Sequence, residues 1–201
     1  MAAFDVDGTL TTRDCVTPFL FRTVRVRAAL ALARNPGAVA RAVVRRDRDL
    51  VKEVVCTAFA GLEAAALDVE GEAFALEVER RWLRQAAVER LRRHRSHGHV
   101  TVLASASLEP YLVPLARRLG VEGVVCTRLE HGPDGRLTGR LEGRNCRGPE
   151  KARRFEAWLA ARGLEDAEVW AYGDSDGDRE LLARADHPVW VGRRADEPVA
   201  R

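Results

Sequence analysis

After Gly98 the chain alternates, and nothing else in it restricts the choice of fold so strongly. Short apolar, β-branched runs at 99–104 (HVTVLA), 121–126, 168–172 (EVWAY) and 188–191 (PVWV) are separated by helical stretches at 108–119, 151–162 and 178–185. Strands that alternate with helices must lie parallel, because each helix is the crossover that returns the chain to the same edge. One run resists this pattern: RLEHGPDGRLTGRLEG (128–143) carries Pro-Asp-Gly between alternating segments and reads as a hairpin. The matching first strand, AAFDV (2–6), stands far ahead of the others. The expected fold is therefore α/β, a Rossmann-like doubly wound parallel sheet, interrupted after its first strand.

The interruption, residues 15–96, is rich in Ala, Leu, Val, Arg and Glu and has no period-2 segment. Pro18, Asn35-Pro36-Gly37, Gly61 and Gly71 divide it into about four helices. The clearest is expected at 75–95, where Leu76, Val78, Trp82, Leu83, Val88 and Leu91 form an apolar stripe. The expected organisation is a core domain of residues 1–14 and 97–201 with a helical cap, 15–96, inserted between them.

Doubly wound sheets bind ligands beyond the carboxyl ends of their strands, and the suggestive residues cluster there. The first strand runs into Asp5-Val6-Asp7-Gly8-Thr9. Two carboxylates at i and i+2 repel one another in a shared pocket unless a cation or a proton compensates; the alternative is a solvated Asp-Gly turn. The strand at 168–172 runs into Gly173-Asp174-Ser175-Asp176-Gly177-Asp178. An EF-hand loop would need a Glu where Ala185 stands. Hard oxygen ligands gathered from two strand ends suit magnesium, which takes one or two carboxylates and fills its shell with water and phosphate. Ser105 follows the strand at 99–104, as an anion ligand or a helix N-cap. Lys151 opens a helix in a chain whose 33 basic residues include only two lysines, and an ammonium is not interchangeable with a guanidinium.

FDVDGTLT (4–11), VLASAS (102–107), Lys151 and YGDSDGD (172–178) resemble, in order, the four motifs of the haloacid dehalogenase superfamily. The inserted helical block resembles the cap of its phosphoserine-phosphatase-like branch, and the segment NCRGPEK (145–151) resembles a narrower hydrolase group of that branch. The resemblance implies a phosphatase with Asp5 as nucleophile and Asp7 as general acid and then base. Ser105, Ala106 and Lys151 would hold the phosphoryl oxygens. Asp5, Asp174 and the Asp7 carbonyl would bind Mg2+, with Asp178 as an outer ligand. Asp14 stands where phosphoserine phosphatases carry a substrate-binding Glu, and the usual Asn before the last Asp of the fourth motif is missing.

Composition sets the remaining expectations. With 46% hydrophobic and 31% charged residues the chain is an ordinary globular protein. A net charge of +3 and the lack of aromatics interleaved with a basic stripe argue against nucleic acid. Four cysteines lack paired or zinc-type spacing, the N-terminus has no secretory pattern, and no apolar run is long enough to span a bilayer; these point to a reduced, cytoplasmic protein without a transmembrane segment. Residues 15–53 carry nine basic against three acidic side chains, Arg46 and Lys52 among them. The expected reading is a solvated face; attraction of an anionic substrate or a membrane surface is the alternative. The partner that the resemblance implies is a small phosphorylated metabolite or a lipid phosphate. A phosphotransferase and a regulatory phosphate-binding protein are the competing functions.

Overall fold

The computed structural model describes residues 1–45 and 47–192, so Arg46 lies outside the described residues. Strand β1 (Ala2–Phe4) is wholly buried. The helical insertion follows: α1 (Val16–Arg34), α2 (Pro36–Arg45), α3 (Arg48–Cys56), α4 (Ala64–Arg81) and α5 (Gln85–Ser96). The chain then runs β2 (Thr101–Leu108), α6 (Glu109–Leu119), β3 (Gly123–Thr127), β4 (Leu129–His131), β5 (Leu137–Leu141), α7 (Pro149–Ala160), β6 (Trp170–Gly173), α8 (Arg179–Arg184) and β7 (His187–Trp190). Five strands form one parallel sheet in the order β3-β2-β1-β6-β7, and β4 and β5 pair as the expected antiparallel hairpin.

Period-2 alternation sends successive strand residues to opposite faces of this sheet. Ala2, Phe4, Leu103, Cys126 and Tyr172 join the core on one face with Leu91 of α5 and Tyr111 and Leu112 of α6. Ala3, Val102, Val125 and Ala171 join the core on the other with Phe155 and Leu159 of α7 and Leu181 of α8. The result is the three-layer, doubly wound arrangement expected from the alternation. Phe19, Cys56, Phe59 and Phe74, from the insertion, extend the first of these cores.

The single helix expected at 75–95 is instead two, α4 and α5, broken over Trp82–Arg84. Here the chain leaves helical geometry to pair with the first loop: Thr12 N–H donates to the Trp82 carbonyl, Arg84 N–H to the Leu10 carbonyl, and Thr11 and Leu83 form a bridge. Sequence periodicity runs through the break because Val78 and Leu91 are buried on either side of it. Among the described residues no helix is long and apolar enough to cross a membrane.

Candidate active site

The strand order places the chemistry. From β1 the chain builds outward through β2 and β3, then crosses to β6 on the other side of β1. The loops after β1 and β6 diverge there and leave a crevice at the topological switch point. Asp5 leaves β1 in extended backbone, its N–H still held by the Tyr172 carbonyl of β6 at 2.9 Å. Asp174 follows β6 directly. Gly8 lets the two loops pass: its φ is +86°, and a Cβ there would stand 2.1 Å from Asp174 Oδ2.

Lys151, at the first turn of α7, carries its ammonium beneath these loops and is only 2% exposed. It donates to Asp5 Oδ1 at 2.8 Å and to Asp178 Oδ1. The other oxygen of Asp178 accepts from the N–H groups of Asp174 (3.2 Å) and Ser175 (3.0 Å) and from the Ser175 hydroxyl. Both Asp178 oxygens are thus engaged by protein, and the side chain holds the Asp174 loop and Lys151 in place. Asp174 Oδ1, by contrast, is buried without a hydrogen-bond partner. Carboxylate oxygens of Asp5, Asp174 and Asp178 lie within 4.8 Å of one another.

Burial raises the pKa of Asp5 to about 7, with Lys151 opposing and Asp178 and Asp7 reinforcing the shift. Burial, then the Asp178 charge, also raises Asp174. For Lys151 burial works downward, but the carboxylates of Asp5 and Asp178 outweigh it and hold the ammonium charged. One cation for this group of carboxylates leaves negative charge uncompensated, and the orphaned Asp174 oxygen faces the deficit. This donor set fits a hard divalent cation such as Mg2+, held by Asp5 and Asp174.

A pH dependence follows. Without metal, Asp5 binds its proton more tightly folded than unfolded, so its contribution to stability is complete below the ordinary value of 3.8 and is lost as pH rises through about 7. Magnesium takes the deprotonated form and should therefore raise the melting temperature more near about pH 8 than near about pH 5.5. Thermal melts with and without magnesium chloride at both pH values test this; equal shifts would discount the coupling.

Asp7 is fixed from both sides. Cys15 N–H donates to its Oδ1 at 2.8 Å and the Ser107 hydroxyl to its Oδ2 at 2.7 Å. Burial raises its pKa, against the pull of those donors. Ser105, 1% exposed, lies in the irregular stretch of β2 where the register with β3 shifts between Ala104 and Leu108. Its Oγ accepts from Ser107 N–H at 3.2 Å.

These residues line one cavity of about 740 Å³, with Asp5, Asp7, Ser105, Ala106, Lys151 and Asp174 at its floor. The structure thus brings the expected set together, with two differences in disposition. Asp178 does not line the cavity and is bonded to Lys151. Asp14 reaches the wall, but its oxygens accept from the Val16 and Thr17 N–H groups and so cap α1.

Lys52 of α3 was expected on the solvated face of a charge run. Its ammonium instead enters the site, bonded to the Ala106 carbonyl and to Asn145 Oδ1 at 2.9 Å. The signal that could have found it is the one that marked Lys151, since these are the only lysines of the chain. Above the floor the wall is largely apolar: Leu20, Phe21 and Leu32 of α1, and Val51 and Val55 of α3. Arg25, Arg48 and Arg147 also line it, and none is paired with a carboxylate of a described residue, whereas Arg22 finds Glu70 at 2.8 Å.

The chain is similar to known proteins in sequence and in fold. Residues 2–183 match the haloacid dehalogenase-like hydrolase family. Protein CicA of Caulobacter vibrioides is 35% identical over 187 residues, 92% of this chain and 83% of that one. A crystal structure of a protein of unknown function from Bordetella pertussis Tohama I superposes with a TM-score of 0.77 at 33% identity, over 94% of this chain and 87% of that one. A phospho-aspartyl intermediate analogue of phosphoserine phosphatase shares the fold, with a TM-score of 0.61 at 19% identity over 92% of this chain and 82% of that one. With its four ordered motifs gathered at the switch point of a doubly wound sheet, the chain belongs to the haloacid dehalogenase-like hydrolase family.

Proposed function

We propose that this hydrolase is a magnesium-dependent phosphomonoesterase that works through a phosphorylated Asp5. The observation that carries the reading is the buried Asp5–Lys151 pair at 2.8 Å beside Asp174 Oδ1, a carboxylate oxygen with no protein partner. An Asp5 oxygen attacks phosphorus, the bond from phosphorus to the ester oxygen breaks, and Asp7 gives its proton to the departing alcohol. Asp7, now a carboxylate, takes a proton from water; the resulting hydroxide attacks phosphorus, and the phosphorus–Asp5 bond breaks to release inorganic phosphate. The raised pKa of Asp7 suits a group that must begin protonated. Lys151 and the Ser105 hydroxyl offset charge on the phosphoryl oxygens. Asp5 and Asp174 would hold magnesium, which would supply electrostatic stabilisation of the transferring group.

Residues 15–96 serve in this reading as the cap, with α1 and α3 supplying the walls of the cavity. The apolar wall favours a leaving alcohol with an apolar body, as in a lipid phosphate, over a small polar one, and the arginines that have no carboxylate partner among the described residues suit an anionic group on it. The four free cysteines are compatible with a cytoplasmic setting. Phosphate release from alkyl, sugar, amino-acid and lysophospholipid phosphates, with magnesium and then with EDTA, tests the reading. Magnesium-dependent release, and acid-quenched protein heavier by one phosphoryl group, are expected. Release unaffected by EDTA, or a folded protein inert to all of them, would reject it. Release that slows when an alcohol acceptor is added, with transfer to that alcohol, would make it a phosphotransferase.

A further inference from the structure

The backbone that orients Ser105 is itself held from the insertion. The peptide unit joining Ala106 to Ser107 is trans, so its C=O and N–H point to opposite sides. Its N–H donates to Ser105 Oγ at 3.2 Å, which fills one lone pair and leaves the hydroxyl proton free for a phosphoryl oxygen. Its C=O accepts from the Lys52 ammonium and from the Thr127 hydroxyl at 2.9 Å. Turning this peptide over would withdraw the N–H from Ser105 and aim a carbonyl dipole at the site of the phosphate.

Lys52 is well placed to prevent that turn. An ammonium has three donors, and here three acceptors converge on it, all from the core: the Ala106 carbonyl, Asn145 Oδ1 at 2.9 Å and Thr127 Oγ1 at 3.5 Å. Asn145 is oriented by the same helix, since its Nδ2 donates to Asp49 Oδ1, three residues before Lys52, at 2.7 Å. One core amide therefore grips α3 at two points, Asp49 and Lys52, and of these two residues Lys52 is the one that touches the peptide that sets Ser105.

Resting on the reading of Ser105 as a phosphate ligand, we propose that Lys52 is a positioning residue: it fixes the Ala106–Ser107 peptide and, through it, the Ser105 hydroxyl, so the phosphate cradle is complete only while α3 is seated on the core. Binding of inorganic phosphate to the magnesium-loaded full chain, measured as competitive inhibition and by calorimetry, tests this. Lys52→Met should weaken phosphate binding about tenfold or more, as loss of a charged hydrogen bond does. Ser105→Ala should do likewise, and the double variant should bind about as poorly as the weaker single one, because both act on one hydroxyl. Asp49→Ala, which loses the other tie to Asn145, should stay within about threefold of the parent. Additive losses in the double variant, or equal losses in Lys52→Met and Asp49→Ala, would overturn the proposal in favour of a merely structural tie.

Should Lys52→Met fail to fold, hydrogen exchange on the unaltered protein decides. Magnesium with orthovanadate should protect residues 105–108 and α3 together; protection of 105–108 with α3 unchanged would overturn the proposal. Failure of the phosphatase reading would appear separately, as absence of magnesium-dependent phosphate release from the unaltered protein.

Discussion

Asp5→Asn should lower phosphate release by about 10⁴-fold or more while the protein keeps its fold and cooperative unfolding. The amide is isosteric with the carboxylate, still offers an oxygen to Lys151, and places no net charge where burial has already raised the carboxyl pKa to about 7. What it cannot do is attack phosphorus. Because Lys151 also bonds Asp178, the ammonium keeps a charged partner in the variant. The separation between lost chemistry and retained fold is therefore the informative result, read by steady-state rates beside a denaturant titration. Residual turnover within about tenfold of the parent would remove Asp5 from the nucleophile's role. Intact-mass analysis adds a second check, since the variant should take up no phosphoryl group.

Lys151→Met is expected to fail in both respects. The ammonium is 2% exposed and lies between Asp5 and Asp178, whose side chains are themselves buried. Removing it leaves two buried carboxylates facing one another. Breaking a buried ion pair by deleting one partner costs about 3–5 kcal/mol, a large share of the roughly 5–15 kcal/mol that stabilises a domain. The remaining carboxylates should then hold protons to higher pH, so the variant should lose stability more steeply than the parent as pH rises from about 5 to about 8. Urea titrations across that range measure the effect. A destabilisation below about 1 kcal/mol would mean that water or a bound cation fills the place of the ammonium. Lys151→Arg is no safe substitute, because a planar guanidinium is larger and presents its donors in a fixed fork.

The two variants separate what Asp5 and Lys151 contribute. Asp5 makes and breaks a bond. Lys151 compensates charge in both the resting site and the reacting one, so its removal is felt before any substrate arrives. Asp178 belongs with Lys151 in this respect. Its four contacts, to Lys151, to two backbone N–H groups and to the Ser175 hydroxyl, make it the anchor that fixes the loop bearing Asp174.

The sequence by itself determined the α/β class, the interruption after the first strand, the hairpin and the residues gathered on the cavity floor. These were legible because each is local. A strand buried on both faces shows its apolar run directly, and a reaction that needs carboxylates and an ammonium at strand ends writes those residue types at the ends of those runs. Tertiary structure alone decided the break at Trp82–Arg84, the clamping of Asp7 by the Ser107 hydroxyl and the reach of Lys52 into the site. Each of these depends on a partner distant in the chain: Thr12 N–H meets the Trp82 carbonyl across 70 residues of sequence, Asp7 meets Ser107 across 100, and Lys52 meets Asn145 across 93. Local pattern records which side chains a segment would bury or expose on average. It holds no record of which distant acceptor will stand opposite a particular ammonium, because that follows from how the sheet and the inserted helices pack, and the same charged stretch would read as a solvated face either way.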